Sequence, residues 1–223
     1  MNISDLKIDK NIKVEETDAL IIVDLQNDFI PGGSLPVEGG DLIINDINEL
    51  AEIFKKNGQV ILTQDWHPPD HLSFASNHPG KKPGDEYHSK GIGPVLWPDH
   101  CVQNSEGAIF HKDLKTKLAD KIIQKGTNPD IDSYSGFLDN DKKSETGLAD
   151  YLKSQRVKRI FICGLALDYC CYATAMDGVD FGFDVYFLID LTKGIDLPAN
   201  NISNSLENMV KKGIKFVKKT SFS

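Results

Sequence analysis

At 223 residues the chain has material for one ordinary domain, and 40% apolar residues with 9% aromatics supply a sizeable interior. A formal net charge of −8 without a long basic run excludes sequence-independent nucleic-acid binding, which needs a cationic surface to displace counterions. The polar start MNISDLKIDKN lacks a secretory core, no apolar stretch reaches bilayer length, and four cysteines without framework spacing read as reduced thiols; the expectation is a cytoplasmic protein with small-molecule partners.

In chain order, ALIIVDL (19–25) and QVILTQD (59–65) read as buried strands. They flank DLIINDINELAEIFKKNG, where Leu42, Ile43, Ile47, Leu50, Ile53 and Phe54 recur at helical spacing before a glycine stop. Residues 66–104 are rich in Pro, Gly and His with little periodicity, and a loop this long inside a compact domain is usually functional or disordered. RIFICGL (159–165) is a further strand, followed by a small-residue helix from about Cys170. FDVYFLID (183–190), a polar helix around SNSLENMVKKG and a short strand IKFV complete the pattern. Strands that are apolar throughout are buried on both faces. The expected fold is therefore α/β, a single domain of three α/β/α layers around a mostly parallel, doubly wound sheet.

Open sheets of this kind bind ligands at the carboxyl ends of their strands. Cys170, beyond Leu165, would sit in the first turn of a helix, where unpaired N–H groups and the helix dipole favour a thiolate and can receive an oxyanion. Only one of Cys170 and Cys171 can face the crevice, and free cysteines are as commonly small buried hydrophobes. Asp24, where a buried strand stops, is an expensive carboxylate unless partnered. Lys125, in KIIQKG, has the same character; the pair could serve a thiol as base and counter-charge, or be a turn cap and a solvated lysine. In DWHPPDH, Asp65 and His67 point to one side of an extended segment and could ligate one cation. His71 comes within reach if the prolines turn the chain, and His100 precedes another loop. Such a set suits Zn, Fe or Mn. His78, His88 and His111 show no comparable spacing.

Five stretches, IIVDLQNDFIPGGSLPV, TQDWHPPDHLSFASNH, LWPDHCVQNSEGA, KGTNPDIDSYSGF and ICGLALDYCCYATAMD, occur in an order that resembles the nicotinamidases, or pyrazinamidases, of the isochorismatase-like cysteine hydrolases. The resemblance spans about 18–220, leaving 1–17 as an N-terminal extension. It implies an Asp24–Lys125–Cys170 triad and an oxyanion hole from the N–H groups of Ala166 and Cys170, with a cis peptide between Leu165 and Ala166. It further implies a divalent metal, zinc before iron or manganese, on Asp65, His67 and His100, with His71 an additional ligand in some members. Phe29, Trp97, Tyr134, Leu165 and Tyr169 would line the substrate site. The implied reaction is hydrolysis of nicotinamide, and of pyrazinamide, to the acid and ammonia through a thioester, in NAD salvage. A carbamoyl, ureido or isochorismate hydrolase of the same superfamily, or a metal-dependent binding or thiol redox protein, are the alternatives. The resemblance leaves homo-oligomerisation and the role of residues 77–93 open.

Overall fold

The computed structural model describes residues 1–89 and 91–222; Lys90, within the long loop, and Ser223 lie outside the described residues. Strand β1 (Asp18–Val23) leads through a loop into helix α1 (Ile44–Asn57), then strand β2 (Gln59–Asp65) and, after the long loop, strand β3 (Lys121–Lys125). Helix α2 (Leu148–Ser154), strand β4 (Arg159–Leu165), helix α3 (Tyr172–Asp180), strand β5 (Asp184–Lys193), helix α4 (Asn201–Lys212) and strand β6 (Lys215–Val217) follow. The six strands form one all-parallel sheet in the order β3-β2-β1-β4-β5-β6.

That order follows from burial. Every residue of β1 is buried, as is β4 after its first residue, which places these two strands at the centre of the sheet. The chain winds outward from β1 in one direction and from β4 in the other. Right-handed crossovers therefore put α1 and α3 on opposite faces, α1 against β1 and β2, α3 against β4 and β5 beside α4. The core beneath α1 holds Ile47, Leu50, Ala51 and Phe54, with Phe54 edge-on to Phe161 of β4. Leu42 and Ile53 depart from the periodicity reading: they stand 74% and 38% exposed, at positions of the pattern that the helix turns away from the sheet. Two elements had no clear signal. The edge strand β3 has three of five residues exposed, and α2 is only seven residues long.

Residues 1–17 lie along the far edge of the sheet. Ile8 pairs with Phe216 and Ile12 with Phe222, while Leu6 and Val14 are buried. A covered edge presents no free backbone row to another chain. Gly164, in the middle of the sheet, has φ of 108°, and a methyl group there would run into the backbone N and O of Val23 on β1. Gly164→Ala is expected to cost at least about 3 kcal/mol, from forced left-handed backbone plus overlap that no side chain can relieve. Urea unfolding of the two proteins checks it; equal midpoints would contradict the packing described for β1 and β4.

Candidate active site

The order of the strands reverses between β1 and β4, and a crevice opens at such a reversal, above the carboxyl ends. Asp24 is the residue after β1, Asp65 ends β2, Lys125 ends β3, and the turn carrying Cys170 follows β4. Four strand ends thus deliver the candidate chemistry to one place.

The turn after β4 is a π turn over Leu167–Cys171, continuous with α3, and the Leu165–Ala166 peptide before it is cis. The Ala166 carbonyl accepts N–H groups from both Tyr169 (3.1 Å) and Cys171 (3.0 Å), which holds Cys170 in place between them. Single π turns of this kind recur at functional sites. Asp168 anchors the same turn from below: its carboxylate accepts the N–H groups of Ile195 and Asp196 and the Asn201 amide. Cys170 is 7% exposed, whereas Cys171 and Cys163 are sealed in the core.

Lys125 lies at the centre of the cluster, and its side chain is wholly buried. Its Nζ donates to Asp65 Oδ1, to the Ser133 carbonyl at 2.9 Å and to Cys170 Sγ at 3.4 Å. It also lies 2.9 Å from Asp24 Oδ2, off the hydrogen-bonding direction, so that oxygen keeps a free lone pair. Asp24 Oδ1 accepts the Thr63 hydroxyl at 2.6 Å, and Asp24, at φ 48°, is fully buried. Burial would discharge Lys125, but the two carboxylates outweigh it and hold the ammonium charged. Burial also pushes the Cys170 thiol well up; Lys125 pulls it back, and Asp24 adds to the rise. Burial raises the Asp24 carboxyl too, against the pull of Lys125. The helix-terminus reading favoured a thiolate. Desolvation and the two carboxylates push the thiol the other way, with Asp24 Oδ2 as an open acceptor beside it.

Asp65, His67 and His100 place donor atoms within 4.8 Å of one another, all three buried. Asp65 turns Oδ1 to Lys125 and Oδ2 to His67 Nε2, 3.5 Å away. Each histidine spends Nδ1 on a carbonyl, His67 on Gly126 (2.9 Å) and His100 on Pro98 (2.8 Å), which fixes Nε2 as the free nitrogen. Gly126 is required here, since at φ 66° a methyl group on it would strike the His67 ring. His67 Nε2 is buried with no hydrogen-bond partner, an expensive state for the protein alone and the natural state of a metal ligand. One carboxylate and two imidazoles leave open coordination positions, so the residues fit a catalytic divalent ion. Burial would raise the Asp65 carboxyl, yet the Lys125 ammonium, with the His67 ring beside it, holds it well below the usual range. Burial and the neighbouring His67 lower His100 to about 4, keeping it neutral as a ligand must be.

His71 is brought to the same region but not into that set; its ring lies 4.3 Å from that of His67. Its Nδ1 accepts the Ser73 N–H (3.2 Å) and meets the Ser73 hydroxyl (2.7 Å), and Nε2 faces the Ile131 carbonyl at 3.3 Å. Trp97, Tyr134 and Tyr169 form an aromatic wall, with Tyr169 edge-on to both other rings and Trp97 Nε1 donating to the Tyr134 hydroxyl at 3.1 Å. Phe29 packs on His100 at 5.5 Å, and Leu165 is buried at the end of β4. Within the long loop His67 pairs with Val102 and Phe74 with Trp97. His78 bonds the Leu72 carbonyl, His88 is exposed, and His111 is half-buried near Asp113.

Several residues in the site carried no spacing signal. Gln26 grips the backbone of Asp65 from both sides, Nε2 to its carbonyl (2.7 Å) and Oε1 to its N–H (2.8 Å). Asp28 accepts the Cys101 N–H at 2.7 Å and so steadies the chain after His100. Asp132 and Ser133 are buried beside the cluster. The buried side-chain atoms left without a partner among the described residues are Asp24 Oδ2, His67 Nε2, Asp132 Oδ2 and Ser133 Oγ, all in this one site.

A thiol, a carboxylate and an ammonium in mutual contact at the switch point of an open parallel sheet define an α/β protein equipped for nucleophilic chemistry at sulfur. The chain belongs to the isochorismatase family, whose domain model matches residues 18–220. Nicotinamidase from Acinetobacter baylyi is 43% identical over 197 residues, 88% of this chain and 90% of that one. Among solved structures, the Acinetobacter baumanii nicotinamidase/pyrazinamidase superposes with a TM-score of 0.88 at 42% identity, covering 92% of this chain and 97% of the other. The pyrazinamidase of Pyrococcus horikoshii, solved in complex with zinc, gives 0.75 at 43% identity, covering 91% and 99%.

Proposed function

We propose that this protein is a nicotinamidase that hydrolyses nicotinamide to nicotinate and ammonia, returning the pyridine ring to NAD synthesis. The observation that carries this reading is the position of Lys125 Nζ, which touches the Cys170 thiol, the Asp24 carboxylate and the metal-facing Asp65 at once. A nucleophile and a ring anchor are thereby coupled through one charge.

In this mechanism the substrate ring lies between Phe29 and the wall of Trp97, Tyr134 and Tyr169, with Leu165 beneath. Asp65, His67 and His100 would hold a divalent ion, for which zinc is the choice and iron or manganese the rivals, and it would supply Lewis acidity to anchor a ring nitrogen. Cys170 Sγ attacks the carboxamide carbon as its proton passes to Asp24 Oδ2. The developing oxyanion is received by the N–H groups of Ala166 and Cys170. Asp24 then returns the proton to the departing nitrogen, which leaves as ammonia from a thioester. Water adds to the acyl carbon, gives a proton to Asp24, and nicotinate leaves as the proton returns to sulfur. Lys125 stays charged throughout and balances whichever of Asp24 and the sulfur is anionic. Among the described residues no helix is long and apolar enough to cross a membrane, and all four cysteines are free and buried, as suits a reducing cytoplasm.

The test is ammonia release from nicotinamide, with pyrazinamide, isochorismate and a carbamoyl amide in parallel; turnover of either of the last two but not nicotinamide overturns the proposal. Chelation of the metal is expected to raise KM for nicotinamide on the order of tenfold to a hundredfold, the worth of one coordinated nitrogen. Benzamide, which has no ring nitrogen, provides the control. Its KM should not change, and a preference for nicotinamide that survives complete metal removal would place the anchor elsewhere.

A further inference from the structure

We propose that Asp132, and not His71, is the carboxylate that supports the metal centre from behind its ligands, acting on the ion from the side of His67. The inference rests on the metal reading above and concerns a residue to which that reading gives no part. Donor atoms here form three overlapping groups: Asp24, Asp65 and Cys170; Asp65, His67 and His100; and His67, His71 and Asp132. Asp65 links the metal set to the thiol, and His67 links it to Asp132 and His71.

Within that last group the two candidates differ in what they have left to give. His71 has spent both ring nitrogens: Nδ1 accepts the Ser73 N–H, so the proton sits on Nε2, which points it at the Ile131 carbonyl. A nitrogen bearing a proton cannot bind a metal. Asp132 is equally buried, and Oδ1 accepts the Ser133 N–H at 2.8 Å, but Oδ2 has no partner. No lysine or arginine among the described residues pairs with it. A buried carboxylate with one oxygen unpaired and no counter-charge is costly, and a divalent ion bound at neighbouring His67 would lower that cost. The group does not join Asp132 to Asp65 and His100. Asp132 would therefore act on the ion at longer reach than the three ligands, and the ion would supply the positive charge that the protein withholds.

The experiment is competition for Zn2+ between a chromogenic chelator and the wild type, Asp132→Asn, Asp132→Ala and His71→Asn, with thermal unfolding of each protein with and without Zn2+. Both Asp132 variants are expected to bind Zn2+ about 10–100-fold more weakly, the usual worth of a carboxylate behind the ligands, while His71→Asn stays within about threefold. The metal-free Asp132→Asn protein is expected to melt no lower than metal-free wild type, since the substitution removes an unpaired buried charge and little volume. Unchanged Zn2+ affinity in both Asp132 variants, or an equal loss in His71→Asn, overturns the assignment. Wild type that binds no Zn2+ would instead overturn the metal reading itself.

Discussion

Replacing Cys170 by alanine is expected to lower kcat for nicotinamide by roughly ten-thousand-fold or more while leaving its binding within about threefold of wild type. The size follows from the site. In the proposed mechanism sulfur attacks the amide carbon, and the groups around it are placed to move its proton: Asp24 Oδ2 is an open acceptor and Lys125 Nζ lies 3.4 Å from Sγ. Without the thiol those groups have nothing to act on, and members of such a unit lose their effect together rather than in proportion. Binding is expected to persist because the proposed ring contacts, the aromatic side chains and the metal set, are not touched by the substitution. Isothermal titration and single-turnover ammonia release make the comparison. Cys171→Ala provides the internal contrast: its sulfur is sealed in the core, so turnover should persist with only a modest loss of stability. Substantial activity in the Cys170 variant would remove this residue from the nucleophile role.

Lys125→Met is expected to cost about 3–5 kcal/mol of stability and to reduce turnover by about a thousandfold. The buried cluster holds Lys125 against Asp24 and Asp65, and the methionine removes its only full positive charge while leaving both carboxylates in place. Two uncompensated anions in a desolvated site repel one another, and an uncharged stem of similar length relieves nothing. Chemistry suffers for the same reason, since no cation then balances the anion formed when sulfur gives up its proton. Bound metal shares the Asp65 charge, so the stability loss should be smaller in the metal-loaded protein than in the metal-free one. Urea unfolding in the presence and absence of Zn2+ measures both; a Lys125→Met protein as stable as wild type would show that the ion pairs contribute nothing net.

The parallel sheet was legible because its strands are apolar along their whole length, as IIV at 21–23 and IFI at 160–162 show, and only burial on both faces tolerates that. The edge strand β3 had no such pattern: with one face to solvent its sequence KIIQK resembles the end of a loop. Likewise Cys170, Asp24 and Lys125 were each ambiguous by position, a buried hydrophobe, a cap or a surface lysine, and what singled them out was the resemblance of five dispersed stretches to one family.

Local pattern in the chain was enough for the α/β architecture and the strand ends where chemistry collects, and the five family-like stretches then picked out the sulfur, carboxylate and imidazole donors of the site. It could not say that burial and two carboxylates push the thiol up, that Asp65 faces lysine and metal set at once, or that Asp132 rather than His71 has a lone pair to offer. Those properties depend on distances between residues up to 146 positions apart, Asp24 and Cys170 among them, and on how much water the fold removes from each. Charge and proton affinity are set by that surrounding, so they come into being only once the sheet has closed.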